Sequence, residues 1–303
     1  MKILITGACG FIGRHLVDHI KENAEGTKLY AVDCINNCDY YPQNFFQLDL
    51  TQEEQVTSII DLIRPDCIIH LAGLLGNDEP LMIYHANVTA LLFILEAVRR
   101  MSPHTIVLTA GSAAEYGEVT TNQLPISENT PCRPVNMYGQ TKYLASQLID
   151  FYYRAYRLNG MVFRPFQLIG KGISSKLAPG AFAEQIRNAV NRNDSIIKVG
   201  NLKSFRDLLD IADAVKAIWL LCQKPAPGQV FNICSGSATQ MSVLLNQMIE
   251  LVDVKVKIEI DEARLKEKNE DVSIIYGSYN RLYLHCGWQP MVPLENSLKS
   301  MLL

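Results

Sequence analysis

Tyr138 and Lys142 stand four residues apart, the spacing that places two side chains on one face of a helix. An ammonium beside a phenol favours the phenolate and lowers the phenol pKa. Tyr138 can then exchange a proton with a substrate hydroxyl or carbonyl near neutral pH. An ordinary exposed helix also carries such a pair, so its meaning depends on what lies upstream. Residues 105–109 read as a strand that leads through Ala110 and Gly111 to Ser112. A hydroxyl at the end of a central strand can donate to the same substrate oxygen. Ser112, Tyr138 and Lys142 beside a nicotinamide cleft would make a hydride-transfer site for a carbonyl or an alcohol.

The first thirteen residues supply that cleft. Residues 2–6 are an apolar run of strand length, Gly7, Gly10 and Gly13 follow at the turn, and Phe11, Ile12, Leu16, Val17 and Ile20 recur at helical spacing. In a strand–glycine turn–helix unit the glycines allow a tight turn, the approach of a pyrophosphate and close helix packing. The helix N-terminus offers free N–H groups and a positive dipole end to the phosphates. A second strand, residues 28–32, ends in Asp33. A carboxylate there accepts from both adenosine ribose hydroxyls and repels a 2′-phosphate, which favours NAD(H) over NADP(H).

The rest of the chain must position these groups. Strand-like runs near 2–6, 28–32, 45–48, 67–71, 104–109 and 160–164 alternate with helical patterns near 11–24, 52–63, 81–101 and 135–158. That alternation predicts an α/β fold with a doubly wound parallel Rossmann sheet. The pattern breaks after Arg164-Pro165. Helices are expected near 180–192, 210–223, 240–252 and 294–302, with strands near 195–199 and 229–233. The reading is a dinucleotide-binding domain of residues 1–164 plus about 205–234. Residues about 165–204 plus 235–303 form a smaller, discontinuous C-terminal substrate domain over the sheet edge where ligands of open α/β sheets bind.

Bulk properties narrow the function classes. With 28 basic and 31 acidic residues in 303 and no basic block, neither nucleic acid nor an anionic membrane is expected as a partner. The eight cysteines form no Cys-x-x-Cys pair, so they are read as unpaired thiols in a reduced, cytoplasmic protein rather than a zinc or redox motif. No signal-peptide pattern opens the chain, and no uninterrupted apolar stretch is expected to span a membrane. Residues 88–98 and 135–158 form helices apolar on most sides, which need cover on their outer faces. A homodimer through these paired helices is expected. Asp207, Asp210 and Asp213 are read as caps or ion-pair partners rather than metal ligands.

The chain resembles the extended short-chain dehydrogenase/reductases that act on nucleotide sugars. The resemblance rests on Thr6-Gly7-Ala8-Cys9-Gly10-Phe11-Ile12-Gly13, Asp49-Leu50, His70-Leu71-Ala72-Gly73, Asn87, the Ser112, Tyr138 and Lys142 set, Arg164-Pro165-Phe166 and Arg206-Asp207. It implies cofactor contacts from Gly7, Cys9, Gly10, Phe11, Ile12, Asp33, Asp49, Leu50, Leu71, Ala72, Gly73, Asn87, Tyr138, Lys142 and Pro165. It implies a nucleotide-sugar substrate met by Glu115, Gln167, Arg206 and Arg264 or Lys266. The later segments are most similar to the GDP-4-keto-6-deoxy-mannose reductases. Related 4,6-dehydratases carry an acid–base pair just after the catalytic Ser/Thr, where this chain has Ala113 and Ala114. Glu115 comes one position later, which on a strand would face the opposite way. Alanine transfers no proton, so the resemblance leaves 4-ketoreduction, with NAD(P)-dependent 4-epimerisation as the alternative and a non-catalytic NAD(H) sensor ranked last.

Overall fold

Seven parallel strands carry the site. In the computed structural model, residues 1–35, 44–76, 79–192, 196–252, 255–265 and 272–303 are described. The strands are β1 (Lys2–Thr6), β2 (Lys28–Asp33), β3 (Phe45–Gln47), β4 (Cys67–His70), β5 (Ile106–Ala110), β6 (Gly160–Pro165) and β10 (Val230–Ile233). Their order is β10-β6-β5-β4-β1-β2-β3, and every neighbouring pair runs parallel. Parallel strands need helical crossovers and are covered on both faces, so they read as continuous apolar runs.

Alternate residues of each strand face opposite layers. Ile3, Ile5, Ile69, Leu108 and Phe163 pack with α1 (Phe11–Asn23) and α7 (Ile211–Gln223). Leu4, Val32, Ile68, Val107 and Val162 pack with α2 (Glu53–Ile63), α4 (Ala90–Met101) and α5 (Met137–Tyr156). The expected helix near 81–101 is present but not uniform. It opens with α3 (Pro80–Tyr84) and passes through one π-helical turn, His85–Thr89, before α4. Joined, Pro80–Met101 is long and apolar enough in composition to cross a membrane, which the sequence reading did not anticipate. Half of its most apolar stretch is buried inside the molecule instead. On the outer side of α5, Phe151 and Tyr156 remain exposed.

The second half departs further from expectation. Strand β9 (Phe205–Asp210) was not foreseen, and it leaves the main sheet to pair with β7 (Gln167–Ile169), β11 (Ala238–Gln240) and β13 (Ile274–Ile275). Strand β8 (Ile196–Val199) pairs with β12 (Lys257–Ile260). Helices α6 (Ala178–Arg192), α8 (Met241–Glu250) and α10 (Leu294–Leu302) enclose a separate apolar core around Ile197, Leu208 and Leu244. The short α9 (Asn280–Cys286) follows β13. This smaller layer sits over the carboxyl edge of β5 and β6, where the two halves face one cavity.

Each of the three aspartates is held by backbone N–H donors, and Asp210 is a cap as expected. Asp210 caps α7 through the Ala212 N–H at 2.7 Å. Asp213 accepts the Met291 and Val292 N–H groups. Asp207 accepts from Ser235, Gly236 and Gly277. The cysteines do not all behave as expected: Cys34, Cys67, Cys132, Cys222, Cys234 and Cys286 are free thiols, whereas Cys9 is disulfide-bonded.

Candidate active site

A cavity of about 490 Å³ opens at the carboxyl edge of the sheet. The glycine turn after β1 forms one wall, with Gly7, Gly10, Phe11, Ile12 and Gly13. Gly7 adopts φ +68°, a left-handed conformation that a side chain disfavours, and a Cβ there would lie 2.6 Å from the Ala72 nitrogen. Helix α1 starts with Gly10 as its N-cap, with no capping side chain and no acidic residue in its first turn. Its first N–H groups are therefore left to meet an anion. Asp33, at the end of β2, is nearly buried and accepts the Cys9 N–H at 2.9 Å. A phosphate cradle next to a carboxylate suited to ribose hydroxyls fits a dinucleotide.

Ser112, Tyr138 and Lys142 line the same cavity, with Ala113 and Ala114 beside them. Ser112 leaves β5 and caps a short 3₁₀ turn, Ala113–Glu115. Tyr138 and Lys142 lie in the first turns of α5, whose N-cap Asn136 accepts the Gly139 N–H at 2.8 Å. The positive end of the helix dipole thus sits next to the Tyr138 phenol. Burial pushes that phenol up, and a hydrogen bond from Ser112 opposes the shift. Lys142 is buried and donates to the Ala110 carbonyl at 3.0 Å. Burial lowers its pKa to about 8. His70, at the end of β4, shares a 2.8 Å hydrogen bond with Thr6. Burial, aided by the Lys142 charge, lowers it to about 3, so it is a neutral structural group at working pH.

The other expected residues divide into two groups. Leu71, Gly73, Pro165, Gln167 and Arg206 line the cavity. Asp49 sits outside it, accepting from Thr51, and Leu50 and Ala72 pack in or against the apolar core. Asn87 does not face the cleft: its amide is taken up by Leu74 and by the Thr141 hydroxyl, so it shapes the Gly73–Leu74 wall from behind. Glu115 is a correction. It was expected at the substrate, but it is fully buried beneath Ser112 and cannot touch a sugar in the cavity. It is also part of a 3₁₀ turn rather than of a strand. Arg264 is exposed outside the cavity and pairs with Asp261 at 3.3 Å, so it too is a correction. Lys266 lies outside the described residues. Sequence reasoning missed Ser174, Leu177, Val272 and Ile275. They come from irregular segments and a two-residue strand, which carry no periodic signal.

Residues 3–234 match the NAD dependent epimerase/dehydratase family. The chain is similar to GDP-6-deoxy-D-mannose reductase of Pseudomonas aeruginosa, with 27% identity over 99% of this chain and 96% of that protein. The structure of RMD from Pseudomonas aeruginosa complexed with NADPH superposes with a TM-score of 0.87 and 25% identity, covering 99% of this chain and 97% of the other. UDP-glucose 4-epimerase of Thermotoga maritima, solved with UDP-glucose, gives a TM-score of 0.88 at 25% identity, covering 100% of this chain and 97% of the other.

Proposed function

Because the chain belongs to the NAD dependent epimerase/dehydratase family, we propose that it reduces a nucleotide-linked 4-keto-6-deoxyhexose, of the GDP-4-keto-6-deoxy-mannose type, at C4. One observation carries this reading: the phosphate-cradling turn and the Ser112, Tyr138 and Lys142 set open onto one cavity. The nicotinamide cofactor, when bound, supplies the hydride for the carbonyl carbon. The amides opening α1 hold its pyrophosphate, and Asp33 takes the adenosine ribose, which favours NAD(H).

The residues of the chain then manage the oxygen. Tyr138 gives its hydroxyl proton to the developing alkoxide at O4. Ser112 donates to the same oxygen and keeps it in line. Lys142, held by the Ala110 carbonyl, opposes with its charge the rise that burial brings to the phenol. Arg206 faces the diphosphate and Gln167 the sugar. Ala113 and Ala114 border the carbons next to C4 with methyl groups, so no proton can be removed there. The same residues would serve a 4-epimerase, and the likeness to the Thermotoga maritima enzyme supports that second reading. An epimerase would keep its cofactor between turnovers.

The test is the loss of reduced cofactor with GDP-4-keto-6-deoxy-mannose, run with NADH and with NADPH, beside a measurement of cofactor retained by the purified protein. Consumption of one reduced cofactor per sugar is expected. No consumption, together with tightly held NAD⁺, would replace the reductase with the epimerase.

The pH dependence follows from Lys142. Its ordinary pKa of 10.5 falls to about 8 on burial, so it is charged below that pH and neutral above it. Reduction is therefore expected to be fastest below about pH 8 and to decline as pH rises through it. A rate that stays flat to pH 10 would show that the Lys142 charge plays no part.

We also propose a homodimer across α4 and α5, where Phe151 and Tyr156 of α5 are exposed and Leu92 and Phe93 of α4 are only partly buried. Light scattering is expected to give twice the 34.0 kDa chain mass; a particle of one chain would remove the dimer.

A further inference from the structure

Glu115 belongs to none of the surfaces described so far. It is 0% exposed, lies outside the cavity wall, and is one residue past the alanines that border the sugar. All of its hydrogen-bond partners are donors. One carboxylate oxygen accepts the Ser112 N–H at 2.8 Å. The other accepts the Ser146 hydroxyl at 2.8 Å and the Arg164 guanidinium at 2.8 Å. Arg164 also donates to the Tyr116 hydroxyl at 3.0 Å and lies over the Tyr116 ring. Tyr116 in turn donates to Asn232 on β10 at 2.7 Å. The space is reserved for this carboxylate: a Cβ at Gly111 would lie 2.3 Å from its oxygen.

These three partners belong to the three elements that build the reacting centre. Ser112 is the hydroxyl donor itself, held here by its own backbone. Ser146 lies one helical turn beyond Lys142 and two beyond Tyr138, on the same face of α5. Arg164 stands in β6 next to its last residue, Pro165, on the cavity wall. We propose that Glu115 is a positioning residue, whose buried carboxylate fixes Ser112 against the Tyr138 and Lys142 face of α5. The inference rests on the proposed reductase reading, and it adds a residue that touches neither sugar nor cofactor.

The charge of Glu115 matters as well as its shape. Burial pushes the carboxyl up, and Arg164, Ser146 and the Ser112 amide pull it back. Burial lowers Arg164, but the Glu115 charge together with Tyr116 and Cys132 leaves it above its ordinary value. The groups around this site are Lys142 and Tyr138 from α5, Arg164 from β6, Tyr116 and Cys132 from the loops, and neutral His70 from β4. The carboxylate field raises both Tyr138 and Lys142. Neutralising Glu115 therefore moves both ionisations to lower pH.

The experiment compares wild type with Glu115→Gln and with the double variant Glu115→Met/Arg164→Met. Glutamine keeps the volume but turns an N–H toward a partner that is already a donor. Expected for Glu115→Gln is a kcat lower by about ten- to a hundredfold, the loss that a small misplacement of reacting groups brings. NADH affinity is expected to stay within about twofold, because no cofactor contact is removed. The high-pH limb is expected to move to lower pH. Replacing a buried ion pair by apolar side chains often preserves stability. The double variant thus answers for a Glu115→Gln protein that does not fold, and it is expected to melt near wild type while keeping the low kcat and the displaced limb. Wild-type kcat and pH profile in either folded variant would overturn the proposal and leave the pair a packing device.

The ionisation of Tyr138 is read separately, without substrate, as the ultraviolet difference between each protein and its Tyr138→Phe counterpart. A downward shift in Glu115→Gln upholds the coupling even if no 4-keto sugar is reduced, in which case only the proposed function fails. No shift in an active reductase overturns the coupling alone.

Discussion

Tyr138→Phe is expected to lower kcat by about 10²- to 10⁴-fold, the usual worth of a positioned proton donor. The substitution is nearly pure chemistry. Phenylalanine keeps the ring and its packing and deletes only the hydroxyl. The Asn136 cap of α5 and the bond from Lys142 to the Ala110 carbonyl do not involve that hydroxyl, so the helix and the ammonium stay in place. NADH affinity should change by no more than about twofold, because the phosphate cradle lies on a different element. The fall should appear in kcat and in kcat/KM alike, which marks an interaction made only in the transition state. Steady-state kinetics and a fluorescence titration with NADH check both halves. Turnover within about threefold of wild type would remove Tyr138 as the proton donor.

Gly13→Ala should remove cofactor binding rather than slow the chemistry. A Cβ at Gly13 would lie 2.3 Å from the Gly7 carbonyl oxygen, 2.6 Å from that of Ala8 and 2.7 Å from the Ala8 Cα. All three are backbone atoms of the turn, so no side chain can swing away. Helix α1 must move off β1, and its N-terminal amides move with it. Overpacking of this kind costs about 1–3 kcal/mol or more. The displaced amides should weaken NADH binding by about a hundredfold, since the anion site is made of their geometry. A fluorescence titration reads the affinity and a thermal melt reads the stability. A variant that binds NADH as wild type does would mean that close packing of α1 on β1 is not what forms the cradle.

The strands at 2–6, 28–33 and 160–165 and the helices at 11–23 and 294–302 lie within two residues of their expected bounds. Their apolar residues recur with the periods that burial on a sheet or a helix face imposes. Gly7, Gly13, Ser112, Tyr138 and Lys142 could be singled out because their chemistry depends on local spacing. Strands β7, β9, β11 and β13 were not foreseen. Each has six residues or fewer, and their pairing is long-range, between segments up to about seventy residues apart in the chain. Short runs of this kind carry no period of their own.

The fates of Glu115, Asn87 and Arg264 divide the two sources of information. By itself the sequence determined the parallel sheet, the glycine turn after β1 and the Ser112, Tyr138 and Lys142 set that lines the cavity, because each is a local pattern of size, polarity and spacing. Tertiary structure alone decided that Glu115 turns inward to Arg164 across 49 residues of chain and that Asn87 supports the cleft from behind through Leu74 and Thr141, whereas Arg264 turns to Asp261 three residues before it. Which way a polar side chain points depends on the donors and acceptors that folding brings to it, and for Glu115 and Asn87 these include Ser146, Arg164 and Thr141, 31 to 54 residues away in the chain.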